Sequence, residues 1–210
     1  PSGVHSDLTT IVELMRRVDQ EAPMDKLDEV LKLDPTLAFR LLRYINSPAF
    51  GLRVEVSSFR HALMMLGHQR LKRWLALLLV SASRDRDMKP VMFAAVRRGL
   101  LMEELMRASV GAGLGGDDEQ MRSEAFICGV FSLLDRMFNQ PFAELLKTIP
   151  VPERVAQALV DATGPYQPYL ELVRAIEGDS LFDVRAAAES LLLGMKEVNH
   201  ALLRALAAAE

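Results

Sequence analysis

Apolar residues recur at helical spacing along most of the chain, and turn-forming residues separate the repeats. The first repeat predicts a helix over residues 7–18, with Leu8, Ile11 and Met15 on one face. A strand-like alternation occurs only near Val54, so the pattern predicts an all-α protein of about ten or more helices. Outside residues 34–80, further helices are predicted over residues 25–33, 90–108, 118–139, 142–147, 153–162, 168–176, 182–193 and 197–208.

The clearest helix start and stop signals lie between Asp34 and Val80. Asp34 predicts an N-cap and Pro35 a first helical position. Asn46-Ser47-Pro48 predicts the end of that helix, because the residue before a proline disfavours helical geometry. A second helix is predicted to begin after Ser57 or Ser58 and to stop at Gly67. A third follows at once and carries Trp74, the only tryptophan.

Bulk composition narrows the class of protein. The chain has 210 residues, of which half are apolar and a quarter charged, with a net charge of −3. This charge argues against general affinity for nucleic acid or for an anionic membrane. No signal peptide is visible, and the longest apolar run, Leu75 to Val80, is too short to cross a bilayer. A cytoplasmic protein without a membrane partner is expected. A start at Pro1 rather than Met is consistent with a fragment of a longer protein.

The residues that could carry chemistry are scattered. The single cysteine, Cys128, lies in an apolar helix, where a thiol behaves as a small hydrophobe, and it excludes an internal disulfide. The glycine-rich segment 111–118 lacks the context of a phosphate loop and is interpreted as a helix connection. No spacing typical of a metal, cofactor or nucleophile site occurs, so no cofactor is predicted. The four histidines are His5, His61, His68 and His200.

Two consecutive blocks resemble a known signature. The first reads DPTLAFRLLRYINSPAFG and the second SSFRHALMMLGHQRLKRWL. Together they resemble the HDOD family, the HD-related output domains of bacterial signalling proteins. The resemblance implies one compact HD-superfamily-like bundle over residues 1–210. Within it, an N-terminal helical subdomain would span residues 1–83 and a degenerate HD-like subdomain residues 84–210.

The same resemblance bears on catalysis. Metal-dependent HD phosphohydrolases hold metal ions through a His, a His-Asp dipeptide and a further Asp. The equivalent helix here reads AFICGVFSLLD, with Ser132-Leu133 at the His-Asp position, and Arg97-Arg98 lie near the position of the first His. Neither leucine nor a guanidinium group offers a lone pair to a metal. The expectation is a protein that is not an enzyme and binds no metal.

The leading hypothesis is a non-catalytic signalling output and protein-interaction module. The closest resemblance is to a subgroup in which this domain follows an EAL cyclic-di-GMP phosphodiesterase-like domain. This implies other signalling proteins as partners and an upstream EAL domain in the full-length protein. One alternative is an HD-type metal-dependent phosphohydrolase with an unusual site. Another is a nucleic-acid-binding regulatory domain that uses Arg70, Lys72, Arg73 and Trp74, disfavoured by the net charge. The sequence leaves the oligomeric state and the input signal open.

A candidate interaction surface follows from exposed-looking loop residues and basic clusters. The turn at Asn46 is most simply a scaffold corner, in which side chains satisfy backbone groups. The alternative is a partner surface in the loop that follows it. The candidates are Asn46, Phe50, Arg53, Arg70, Arg73, Arg97 and Arg98.

Overall fold

A computed structural model describes residues 3–48, 56, 58–81, 86–111 and 119–209. These residues are helical apart from turns and short connections, and the described part of the chain contains no strand. The all-α prediction is therefore confirmed. The chain divides into two compact units, one comprising residues 1–82 with 148–150 and the other residues 83–147 with 151–210.

The described residues of the first unit form four helices. The fourth helix, α4, packs against each of the other three, and its inner face buries Leu63, Leu71, Trp74 and Leu75. The helices are α1 Gly3–Asp19, α2 Met24–Leu31, α3 Pro35–Ile45 and α4 Phe59–Ser81.

Two local predictions in this unit are confirmed. Asp34 caps α3, because its Oδ1 accepts a hydrogen bond from the Leu37 amide at 3.1 Å, and Pro35 is the first helical residue. Gly67 interrupts α4 with φ 73° and ψ 170°, a backbone conformation that glycine adopts without the penalty a Cβ imposes. The segments on either side of Gly67 are helical, as the stop and restart predicted.

The second unit is built around α6, in which every residue from Ser123 to Phe131 is buried. Helix α5 packs against α6, α10 and α12. The helices are α5 Lys89–Gly111, α6 Glu119–Phe131, α7 Leu134–Phe138, α8 Phe142–Leu145, α9 Glu153–Ala156, α10 Gln167–Glu177, α11 Leu181–Ser190 and α12 Met195–Ala208, with a 3₁₀ turn at Arg86–Met88 and a π-helical turn at Gln157–Asp161.

One helix prediction in this unit is wrong, and another is confirmed with a change of helix type. The pattern predicts one helix over residues 118–139, but the structure ends α6 at Phe131 and starts α7 at Leu134. The helix predicted over residues 153–162 is present, but its second half, Gln157–Asp161, is π-helical and is followed by Ala162 with φ 53°. Apolar periodicity continues across both changes, so it cannot reveal them. Most of the glycine-rich segment lies outside the described residues.

Candidate functional site

A close helix crossing positions the residues at the HD-like site. Gly99 of α5 and Gly129 of α6 face each other. A Cβ on Gly129 would lie 2.6 Å from the carbonyl oxygen of Arg98 and 2.7 Å from the Gly99 Cα. Only glycine leaves room for this approach. The crossing brings Arg98, next to Gly99, close to the end of α6.

Arg98 joins three helical segments through its guanidinium. Nε and Nη2 donate to the two carboxylate oxygens of Glu177, at the end of α10, over 2.8 and 2.7 Å. Nη1 donates to Ser132 Oγ over 3.1 Å. This fork-to-fork geometry is the strong form of an Arg–carboxylate pair. The Arg98 side chain is 11% exposed and that of Glu177 is 44% exposed, so the carboxylate faces solvent.

Ser132 also explains why α6 ends where it does. Its Oγ donates to the Gly129 carbonyl oxygen over 2.6 Å, and its amide donates to the same oxygen over 3.3 Å. Leu133 then leaves helical geometry, with φ −114° and ψ 6°. A serine that bonds back to the preceding turn competes with the regular helix ladder. Ser132 and Leu133, which occupy the predicted position of the His-Asp dipeptide, therefore also mark the end of a helix.

The residues at this position do not fit a metal ion. The Arg98 guanidinium donates to the side-chain oxygen of Ser132, and it carries a positive charge. Leu133 is an apolar side chain, 4% exposed. Among the described residues, no group of three or more His, Cys, Asp or Glu side chains is arranged to hold a metal.

A second polar cluster lies along α6, and sequence reasoning missed it. Glu124, 3% exposed, accepts hydrogen bonds at Oε2 from Tyr166 Oη over 2.6 Å and from Arg154 Nε over 2.9 Å. Gln120 Nε2 donates to Oε1 over 3.1 Å. Burial, and then the hydrogen bond to Glu124, raise the pKa of Tyr166. The sequence gives no signal for this burial, because Glu124 follows the polar residues Arg122 and Ser123 and stands just before the apolar run that begins at Ala125.

Cys128 lies in the same helix and is fully buried. Burial raises its pKa to about 12, against a smaller lowering effect of Arg174. The thiolate is the nucleophilic form of cysteine, so this side chain is inert at neutral pH. The interpretation of Cys128 as a small hydrophobe agrees with this environment.

The Asn46 turn in the first unit has a clear structural role. Asn46 Nδ2 donates to the Val56 carbonyl oxygen, and Asn46 Oδ1 accepts from the Val56 amide, each over 2.8 Å. Ser47 Oγ donates to the Tyr44 carbonyl oxygen over 2.7 Å. These bonds confirm that the two side chains satisfy backbone groups there. Phe50 and Arg53 lie outside the described residues.

Arg70 and Arg73 lie beside Tyr44. Burial raises the Tyr44 pKa, while the nearby positive charges of Arg73 and Arg70 oppose that effect. The Tyr44 ring stacks on Trp74, with centroids 6.1 Å apart. Trp74 is only 4% exposed, so its ring is not available to stack on a nucleic-acid base. This corrects the part assigned to Trp74 in the nucleic-acid hypothesis.

Arg97 and Arg98 border a cavity of about 240 Å³ within the second unit. Its other charged border residue is Glu177, and its remaining lining comes from α5, α10 and α12. Arg97 is exposed, in contrast to its neighbour. The structure therefore separates two residues that the sequence grouped together. Glu177, which is not among the candidate residues predicted from the sequence, also lies at this border.

Comparison with protein families gives a match to the HDOD domain over residues 6–140. The chain belongs to the HDOD domain family. The match includes Arg98 and Ser132 but ends before α9, so Glu177 and the α10 and α12 walls of the cavity lie beyond it. The recognised signature is thereby confirmed, including its second block.

Two curated relatives match the HDOD chain. One is the uncharacterized protein YuxH of Bacillus subtilis, 26% identical over 170 residues, which are 80% of this chain and 40% of that protein. The other is the cyclic di-GMP phosphodiesterase CdgJ of Vibrio cholerae, 26% identical over 195 residues, which are 92% of this chain and 44% of that protein. The chain therefore spans less than half the length of these relatives. No solved structure matches it.

Within the described ranges, no helix is both long and apolar enough to cross a bilayer.

Proposed function

We propose that this HDOD chain is a non-catalytic output module that acts in cyclic-di-GMP signalling by binding another signalling protein. The observation that carries the proposal is the bonding of Arg98 to Ser132 and Glu177. Arg97 and Arg98 stand near the position at which the HD resemblance places the first metal-binding His, and Arg98 ties α5 and α10 to the end of α6. The similarity to CdgJ supports the pathway.

Charge segregation supports a protein partner. Between residues 35 and 82 the sequence holds a single acidic residue, Glu55, against seven basic ones. The basic residues are Arg40, Arg43, Arg53, Arg60, Arg70, Lys72 and Arg73.

Three of these arginines surround one aromatic side chain. Arg70 and Arg73 lie close enough to Tyr44 to act on its pKa, and exposed Arg40 lies one helical turn before it. We call Arg40, Tyr44, Arg70 and Arg73 the basic face. Arginine and tyrosine are enriched in protein interfaces, and a positive patch selects an acidic partner. An acidic surface on a second signalling protein is the proposed occupant.

The non-catalytic part of the proposal is tested with purified protein. The chain is incubated with cyclic di-GMP and, separately, with bis-p-nitrophenyl phosphate, in the presence of Mn²⁺, Mg²⁺ or Fe²⁺, and products are followed by chromatography and absorbance. We expect no turnover and no stoichiometric metal by elemental analysis. Turnover that disappears in a Ser132→Ala variant would instead establish an HD-type phosphohydrolase with an unusual site.

The interaction part is tested by site-specific photo-crosslinking in the native host. A photoreactive amino acid replaces Arg73 on the basic face, and a matched control replaces exposed Arg16 on α1. We expect a discrete cross-linked protein from position 73 alone, identified by mass spectrometry as one that makes, degrades or binds cyclic di-GMP. Identical products from both positions contradict the proposal. Cross-linked nucleic acid at position 73 would favour the nucleic-acid alternative.

A further inference from the structure

The cavity beside Arg98 has an apolar interior. Its deepest members are Leu101, 6% exposed, and Ala205, 5% exposed. Ala94, Ile176 and Leu202 form half-buried walls. Leu206, 47% exposed, lies at the mouth. Concave sites with an apolar lining and a few polar groups are typical of small-molecule binding.

The charged side chains of the cavity lie at its border, and the positive ones outnumber the negative one. Glu177 uses both carboxylate oxygens to bind Arg98. Arg97 is exposed at the same border, and it has no ion-pair partner within the part of the chain that the structure describes. The three side chains together carry one net positive charge. The border therefore favours a ligand with a single negative group.

Volume limits the apolar part of such a ligand. A protein cavity of about 150 Å³ lined by apolar side chains binds benzene. At about 240 Å³, this cavity has room for a ring and a short chain. A molecule of this size would place its ring against Leu101 and Ala205 and leave its charged end near Arg97.

We propose that the cavity between α5, α10 and α12 binds a small carboxylic acid with an apolar body, whose carboxylate pairs with Arg97. This goes beyond the proposed function, because it assigns the second unit a small-molecule site separate from the basic face. Arg98 lines the site but is not the partner of the carboxylate, because its Nε and Nη2 groups already donate to Glu177. Glu177 opposes the ligand's charge.

Calorimetric titration of the whole chain tests the site, with 3-phenylpropionate as the probe. The uncharged control compound is 3-phenylpropanamide, which has the same ring and the same chain length as the probe. We expect saturable binding of the acid and at least tenfold weaker binding of the amide, because an interaction with a charged group contributes more than its neutral counterpart. No saturable heat with the acid at millimolar concentration would overturn the proposal, as would equal affinity for acid and amide.

Three variants assign the binding to the cavity. Arg97→Gln removes the proposed partner of the carboxylate and is expected to weaken 3-phenylpropionate at least tenfold. Glu177→Gln removes the opposing charge and is expected to strengthen it severalfold. Arg136→Gln, an exposed control on α7, leaves affinity unchanged. Effects of the same sign for Arg97→Gln and Glu177→Gln, or no effect of Arg97→Gln, would overturn the assignment.

A fourth variant tests the apolar floor. Ala205→Phe fills the cavity and is expected to abolish binding, with helical circular dichroism as the check on folding. If Ala205→Phe fails to fold, the opposite signs of the two border variants still decide the proposal. Loss of ligand binding would leave the basic face and its cross-links untouched, so the two proposals fail separately.

Discussion

Two arginine–glutamate pairs, one formed by Glu124 of α6 and the other beside the end of α6, differ in which partner is exposed. In the pair with Arg154, the Glu124 side chain is 4% exposed and the arginine 36% exposed. In the pair with Arg98, the order is reversed: the arginine is 11% exposed and Glu177 44% exposed. The first carboxylate also accepts hydrogen bonds from Tyr166 and Gln120. The second faces solvent beside the cavity.

Because the two pairs differ in which partner is buried, they are expected to contribute differently to stability. A buried carboxylate depends on its partners, because an uncompensated buried charge is strongly destabilising. In the second pair the buried partner is the arginine, which also donates to Ser132, while the Glu177 carboxylate remains in contact with solvent. The Glu124 cluster therefore belongs to the architecture of the second unit. Glu177 is the partner that can change while Arg98 keeps a second acceptor, and it lies at the border of the cavity.

The largest expected effect comes from removing the cation of the buried pair. Arg154→Met keeps a long side chain but leaves Glu124 buried without its positive partner. We expect the free energy of unfolding to fall by about 3–5 kcal/mol. Urea denaturation followed by circular dichroism measures it. The control is Arg185→Met on an exposed position of α11, expected to change stability by less than about 0.5 kcal/mol. Equal losses in the two variants would remove the distinction between the pairs.

The helix crossing that both clusters share gives the next effect. Gly129→Ala places a Cβ 2.6 Å from the Arg98 carbonyl oxygen, so α5 and α6 must move apart. We expect a loss of about 1–3 kcal/mol in the free energy of unfolding, the usual cost of overpacking. Gly178→Ala is the matched control, because its Cβ would meet no atom closer than 3.4 Å. A neutral Gly129→Ala would mean that the crossing tolerates a wider spacing than the structure has.

This crossing shows where sequence reasoning reaches its limit. The Asp34 cap and the Gly67 interruption are local signals, and each predicted the structure correctly. The contact between Gly99 and Gly129 joins residues thirty positions apart. No periodicity records which glycines of two helices will face each other. The close packing at the site was therefore outside the reach of the pattern.

Only some residues of the candidate site could be identified from the sequence. The family signature identified Ser132-Leu133 and Arg97-Arg98 as altered positions, because motif alignment is a property of the sequence. Glu177 completes the site from 79 residues beyond Arg98, and its role depends on the packing of α10 against α5. Exposure also separates Arg97 from Arg98, although they are adjacent in the chain. Only the rotation of α5 in its packed position determines which arginine faces inward.

A smaller effect tests the tyrosine of the buried cluster. Tyr166→Phe removes a donor to Glu124, and we expect a loss of about 1–2 kcal/mol at neutral pH. Its pH dependence is more specific. The pKa of Tyr166 is raised by burial above the ordinary value of 10.0, so the unfolded chain loses this proton first as the pH rises. Stability contributed by the protonated tyrosine is thus complete below about pH 10 and declines above it.

Urea denaturation at a series of alkaline pH values measures this decline. The wild-type free energy of unfolding should fall more steeply above about pH 10 than that of Tyr166→Phe, which cannot ionise there. Tyr44→Phe is the comparison, since burial also raises the pKa of Tyr44 but in the other unit. Parallel curves for wild type and Tyr166→Phe would show that Tyr166 ionises no differently after folding.

The smallest effect on stability is expected at Glu177, which also borders the cavity. Glu177→Gln keeps the shape of the side chain and removes a carboxylate that is 44% exposed. We expect the free energy of unfolding to change by less than about 1 kcal/mol, because the amide oxygen that replaces the carboxylate still accepts a hydrogen bond from Arg98, which also keeps its bond to Ser132. The same variant should bind 3-phenylpropionate more tightly, measured on the same preparation. A loss of stability as large as that of Arg154→Met would place Glu177 in the architecture, and the reversed exposure of the two pairs would then carry no functional meaning.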